Sequence, residues 1–157
     1  MDKIKITIIS LLFLILGSCT EEILPTPYEY TKIFTGEKSK IWKLNFLEQT
    51  LDGKVEETFN VPCAIDDEYI FYANSERAYK ATTGNKKCAS DESDVIDDSW
   101  TFNNASATLT MVLPFFTESS LPFIVREAKK NKLELEIFLD EENTTSYRIH
   151  LELFKEN

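Results

Sequence analysis

Apolar and polar residues alternate most clearly near the end of this chain. Leu133, Leu135, Ile137 and Leu139 are set against Lys132, Glu134, Glu136 and Asp140. Tyr147, Ile149, Leu151 and Leu153 then alternate with Arg148, His150, Glu152 and Phe154. A period of two gives each segment one buried and one wet face, the mark of antiparallel strands. Upstream, Trp42, Leu44 and Phe46 alternate with Lys43 and Asn45, and Asp52-Gly53 signals a hairpin that returns through residues 55–59. Residues 69–73 are aromatic on both faces, Trp100 and Phe102 flank Thr101, and Leu109, Met111 and Leu113 share a face. Residues 121–128 read as a further strand. Between Phe115-Phe116 and Leu121-Pro122-Phe123, residues 117–120 read as a loop with an apolar rim. No ten-residue stretch has a helical period. The pattern predicts an all-β domain, an eight-stranded antiparallel up-and-down barrel. Closure removes the two edges that an open meander leaves exposed. An open β-sandwich is the alternative.

The N-terminus follows a different logic. Lys3 and Lys5 precede the apolar run of residues 6–16, too short to span a bilayer, which takes about 20 residues. A positive start, an apolar middle and small residues at the end describe a secretory leader over residues 1–18. Leu16-Gly17-Ser18-Cys19 resembles the bacterial lipobox. The resemblance implies that Cys19 is diacylated on sulfur, becomes the first mature residue and is acylated on its amine. Two or more chains anchor firmly where one does not. Thr20, Glu21 and Glu22 resemble the surface-export signal of Bacteroidota lipoproteins, which implies the outer face of the outer membrane. The periplasmic face is the alternative, with these acids serving only a soluble tether. Residues 19–40, with Pro25, Pro27, Gly36 and many charges, read as that tether. Residues 41–157 form the barrel domain.

Charge and cysteine count narrow the picture. Residues 19–157 carry 15 basic and 26 acidic side chains, a net charge of −11. That disfavours nucleic acid, whose phosphates demand positive charge. With Cys19 lipidated, Cys63 and Cys88 remain, and an even pair in an oxidising envelope reads as a disulfide.

Several elements together carry a family resemblance. They are Trp42-Lys43-Leu44, Pro62-Cys63 with residues 66–71, and Tyr79 with Gly84 and Cys88. Ser99-Trp100-Thr101-Phe102 and the closing hairpin complete them. In this order the chain looks like the lipocalin-like lipoprotein domains of Bacteroidota. The resemblance implies a calycin-type barrel with a Cys63–Cys88 bridge, and it implies no assigned chemistry.

Catalytic signals are few. His150, the single histidine, should face solvent between inward Ile149 and Leu151. No nucleophile elbow or HExxH pattern is present, and no motif calls for a cofactor or metal. Asp91, Glu92, Asp94, Asp97 and Asp98 would suit weak calcium binding but lack EF-hand spacing, so a solvated acidic loop is expected. Two functions of different classes remain. One is a non-enzymatic, membrane-anchored interaction module that meets an envelope protein or glycan. The other is a carrier of a small apolar ligand, with Trp42, Phe46, Phe71, Trp100 and Phe102 lining the barrel interior.

Overall fold

The computed structural model describes residues 27–140, 142 and 144–157. The leader, Cys19 and residues 20–22 lie outside the described residues. A helix, α1 (Pro27–Thr35), precedes ten strands. These are β1 (Ser39–Leu51), β2 (Lys54–Phe59), β3 (Glu68–Tyr72), β4 (Ala78–Thr82) and β5 (Val95–Ser99). Then follow β6 (Thr101–Asn103), β7 (Thr108–Leu113), β8 (Thr117–Lys129), β9 (Lys132–Phe138) and β10 (Thr145–Glu156).

All pairings are antiparallel. The strands lie in the order β5-β4-β3-β1-β10-β9-β8-β7-β6, with β2 on β1 beside this path. The two ends of that order, β5 and β6, are consecutive in the chain, with only Trp100 between them. Trp100 N–H still donates to the Arg77 carbonyl next to β4 (2.9 Å), and Thr101 then pairs with Thr110 of β7. One bent segment thus reaches both edges and brings a single sheet close to closure. The sandwich alternative is replaced by this barrel. Ten strands stand where eight were expected because of two breaks. One flank of β1 is shared, β3 pairing with its start and β2 with its end. The other break is at Trp100.

Asp52 (φ 49°) and Gly53 (φ 75°) both adopt the left-handed conformation that a two-residue hairpin turn requires. The expected β1–β2 hairpin is formed. Residues 27–40, expected to lie in the tether, belong to the fold. Pro27 opens α1, and Gly36 (φ 63°) ends it by donating its N–H to the Lys32 carbonyl (2.8 Å). Phe34 drops from α1 into the barrel end and is fully buried, and Trp42 Nε1 donates to its carbonyl (2.9 Å).

Phe34, Trp42, Tyr69, Phe71, Tyr79, Trp100, Leu109, Met111, Phe123, Leu133, Leu135, Ile149 and Leu151 are buried together in one core. Tyr79 Oη donates to the Val112 carbonyl across the barrel (2.6 Å), joining β4 to β7. A register shift between Leu44 and Phe46 returns Leu47 to the interior and leaves Phe46 on the outer face. Residues 117–120 are the start of β8 rather than a loop, and the chain turns at Phe115-Phe116 instead. Val95–Ser99, part of the expected acidic loop, is strand β5, held by pairing with β4 and by an ion pair of Lys80 with Asp97.

Candidate interaction surface

The barrel has two unlike ends. Helix α1 covers the end where β1 begins and β10 finishes. There Phe34 packs edge-on against Trp100 (centroids 5.8 Å) and Phe102 (5.3 Å), while Tyr30 covers Phe102 (4.9 Å). Phe71 meets Tyr79 (5.0 Å) and Trp100 (5.9 Å) below them. Of the five residues expected to line a cavity, Trp42, Phe71 and Trp100 are fully buried among these rings, and Phe102 is half-buried beneath α1. Phe46 lies outside, stacked on His150.

The opposite end is a mouth with an apolar rim. Its layers follow from strand register. Leu47, Ile149 and Leu135 form one row, Gln49, Tyr147 and Ile137 the next. Leu51 and Thr145 form the outermost row, and Leu139 N–H donates to the Thr145 carbonyl (3.1 Å). Leu139 had been expected to face inward; it lies past the end of β9 and is 57% exposed. Phe115 packs on Phe116 (4.7 Å), Phe116 on Tyr147 (5.9 Å) and Phe59 edge-on to Tyr147 (6.1 Å). All four rings are half-buried. Each packs against the core and stays partly open to solvent. Exposed Leu51 and Leu139 lie at the same end, while exposed Val55, opposite Thr50, is on the outer face of the hairpin. Asp52, Glu56, Glu57, Glu118 and Glu142 are exposed on the segments around the mouth.

A pinned loop stands on the same side. Cys63 and Cys88 are bridged, as expected. Asp67 Oδ1 accepts from Gly84 N–H (2.9 Å), Asp66 Oδ2 from Asn85 N–H (2.8 Å) and Glu92 Oε2 from Cys88 N–H (2.6 Å). A side chain at Gly84 would overlap the Asp66 carboxyl, which explains the glycine. Asp67 is fully buried, and this burial pushes its carboxyl up to about 6, against its Gly84 hydrogen bond and with help from Glu92 and Asp66. The acids once grouped as a calcium candidate are dispersed. Glu92 turns inward, Asp94 pairs with Lys87 (2.7 Å), Asp97 with Lys80 (3.4 Å), and Asp98 accepts from Ser120 Oγ (2.7 Å). Among the described residues, no group of three or more His, Cys, Asp or Glu side chains is arranged to hold a metal ion.

The outer face of β1, β10, β9 and β8 carries a polar ladder that the sequence reading missed. Glu136 is buried there, accepting from Ser146 Oγ (2.6 Å) and Arg148 Nε (3.2 Å) and paired with Arg126. Ser146 Oγ is also bonded to Thr50 Oγ1. Burial raises the Glu136 carboxyl, but these hydrogen bonds and the guanidinium charge outweigh it and hold it below its usual range. His150 belongs to the same face. It was expected to be wet, and it is 5% exposed. Its Nε2 is 3.2 Å from Glu48 Oε2 and its Nδ1 3.8 Å from Glu134 Oε2. Phe46 stacks on its ring, and neither ring nitrogen has a hydrogen-bond partner among the described residues.

Beside α1 an open groove of about 640 Å³ is lined by Ile33, Gly36, Lys40, Lys130 and Glu156, among others. Lys40 is buried at its edge and donates to the carbonyls of Ile33 (2.9 Å) and Lys130 (2.8 Å). Burial holds its ammonium below the usual lysine range. These bonds tie α1 to the β8–β9 turn, which accounts for the lysine.

No protein-family model matches the chain, and no curated protein matches its sequence.

Proposed function

We propose that this chain is a lipid-anchored, non-enzymatic interaction module of the outer membrane, built on a lipocalin-like barrel. Its binding surface is the aromatic mouth, and its partner is an envelope protein or glycan. The single observation that carries this reading is the opposition of the two ends. The chain enters through α1 at the plugged end, so an anchor at Cys19 holds that end toward the bilayer. The mouth with Phe115, Phe116, Tyr147, Leu51 and Leu139 then points away from it. Apolar residues rimmed by polar ones are the common surface signature of partner binding. Two of the rings expected to line a cavity, Phe71 and Trp100, pack against each other and against Tyr79 and Phe34, which supports the module over the carrier.

Three measurements test the reading. Mass spectrometry of the mature N-terminus should find an acylated Cys19. A photo-crosslinking residue in place of Phe116 or Leu139 should capture an envelope component on intact cells, and one in place of Lys130 should not. Native mass spectrometry of protein from its own host should find no bound small molecule. Reproducible recovery of one apolar compound, with no crosslink at the mouth, would favour the carrier instead.

A further inference from the structure

The β1–β2 hairpin leaves one strand edge open. β2 pairs with β1 and, among the described residues, with no other strand. Lys54, Val55, Glu56, Glu57 and Thr58 are all exposed, and only Phe59 reaches the core. Most of this strand therefore contributes nothing to packing. It is six residues long, of ordinary strand length, contains no proline, and carries one bulge, at Glu56, where its pairing with β1 passes from Glu57 directly to Val55. An open edge of this kind is a template for a further strand.

Charge decides which strand it accepts. Glu56 and Glu57 occupy its centre. A second copy of the chain would pair β2 with β2. The antiparallel registers that keep five or six residues paired put Glu56 opposite Glu57, Glu56 opposite itself or Glu57 opposite itself. Like charges directly opposed destabilise a strand pair, while opposite charges stabilise it. The chain's own net charge of −10 adds to the repulsion between copies. The same two residues that reject a copy select a cationic strand.

We propose that β2 is the docking edge for an extended, basic segment of a partner polypeptide. Lysine or arginine would lie opposite Glu56 and Glu57, with an apolar residue beside Val55. Backbone hydrogen bonds along the edge supply affinity, and the two carboxylates supply choice of sequence and register. This rests on the reading of the mouth as the partner-facing end, since the hairpin forms part of that rim, and it names the partner's chemistry.

The test is amide hydrogen exchange, read by NMR on the mature chain. The probes are a blocked Thr-Val-Lys-Arg-Val-Thr peptide and its counterpart with two glutamates at the centre. The basic peptide should slow exchange of the β2 amides by about tenfold or more at saturation, as added pairing demands. The acidic peptide should not. The E56K/E57K double variant should reverse that preference while its β9 and β10 amides exchange as before. Three results overturn the proposal: no protection of β2, equal protection by both peptides, or protection of β2 by concentration alone, which signals self-pairing. Crosslinking from position 116 separates this inference from the broader reading. Capture of an envelope partner that E56K/E57K leaves unchanged would remove the edge and keep the module.

Discussion

The ring of Phe46 lies flat on the imidazole of His150, centroids 4.1 Å apart and planes 17° from parallel. The two residues face each other across β1 and β10. The stack depends on the register shift before Phe46, which turns that ring outward. It also covers a histidine held between Glu48 and Glu134. Phe46→Ala should therefore cost about 1–2 kcal/mol, combining a lost ring contact with partial loss of apolar burial. Urea unfolding monitored by tryptophan fluorescence checks this. Phe46→Leu, which keeps much of the cover, should recover about half of the loss.

Asp67 gives a pH signature. Its folded carboxyl lies at about 6, above its ordinary value of 3.8. The folded state thus binds its proton more tightly than the unfolded chain does. Its contribution to stability is fully present below about 4 and is lost as pH rises through 6. Asp67→Asn removes the charge and keeps an acceptor for Gly84 N–H. The variant should be more stable than the parent at pH 7, on the order of 1–3 kcal/mol. The difference between the two should vanish near pH 3.5. Paired denaturation curves across that range measure it, and a constant difference would refute the assignment.

The Cys63–Cys88 bridge spans 25 residues of sequence. The chain-entropy estimate for such a loop is about 3 kcal/mol. Cys63→Ser with Cys88→Ser should lower stability by an amount of that order while leaving the barrel folded. Far-ultraviolet circular dichroism and thermal unfolding together read both outcomes.

The boundary of the domain is testable by truncation. A chain starting at residue 41 lacks Phe34 and Lys40, and should unfold or lose most of its stability. A chain starting at residue 27 should melt like one starting at residue 19. The point substitution Phe34→Ala should cost about 3–5 kcal/mol, the usual loss for a fully buried ring.

That boundary also marks what the sequence made legible. Strands β9 and β10 were plain because apolar side chains on the core face alternate with polar ones on the outer face. The Asp52-Gly53 turn and the Cys63–Cys88 bridge were plain because their chemistry is local or countable. Helix α1 was hidden because it is nine residues long and sits among charges and prolines. Its signals were Pro27 at the start, Gly36 at the end and the spacing of Tyr30, Ile33 and Phe34. Strand β5 was hidden for the opposite reason: Asp97 and Asp98 are both exposed, and only pairing with β4 makes the segment a strand. The mouth was half legible. Phe115 and Phe116 were read as an apolar rim, but Tyr147 and Phe59 join them through register, which alternation does not reveal. The burial of His150 and Glu136 depends on arginines and an aromatic ring from neighbouring strands covering a nominally wet face.

Glu136 makes that last point measurable. It is buried, and three partners converge on it: Arg126, Arg148 and Ser146. Glu136→Ala would leave two guanidinium groups facing a buried hydroxyl without a counter-charge. Both guanidinium groups keep access to solvent, so the expected loss is about 1–3 kcal/mol, chiefly that of a buried hydroxyl and a hydrogen-bond network left without its acceptor. Arg126 is largely solvated, so Arg126→Ala should cost about 1 kcal/mol or less. Arg148 is more enclosed, and Arg148→Ala should fall between them. The pH dependence has the opposite sign to that of Asp67. Because the folded Glu136 carboxyl lies below its ordinary value of 4.5, its contribution is present above that pH and fades as pH falls through the folded value. A double-mutant cycle between Glu136 and Arg148, run at pH 7 and again at pH 3, should show a coupling that shrinks on acidification. A coupling unchanged at pH 3 would mean that the ladder is held by packing of the arginine stems rather than by the carboxylate.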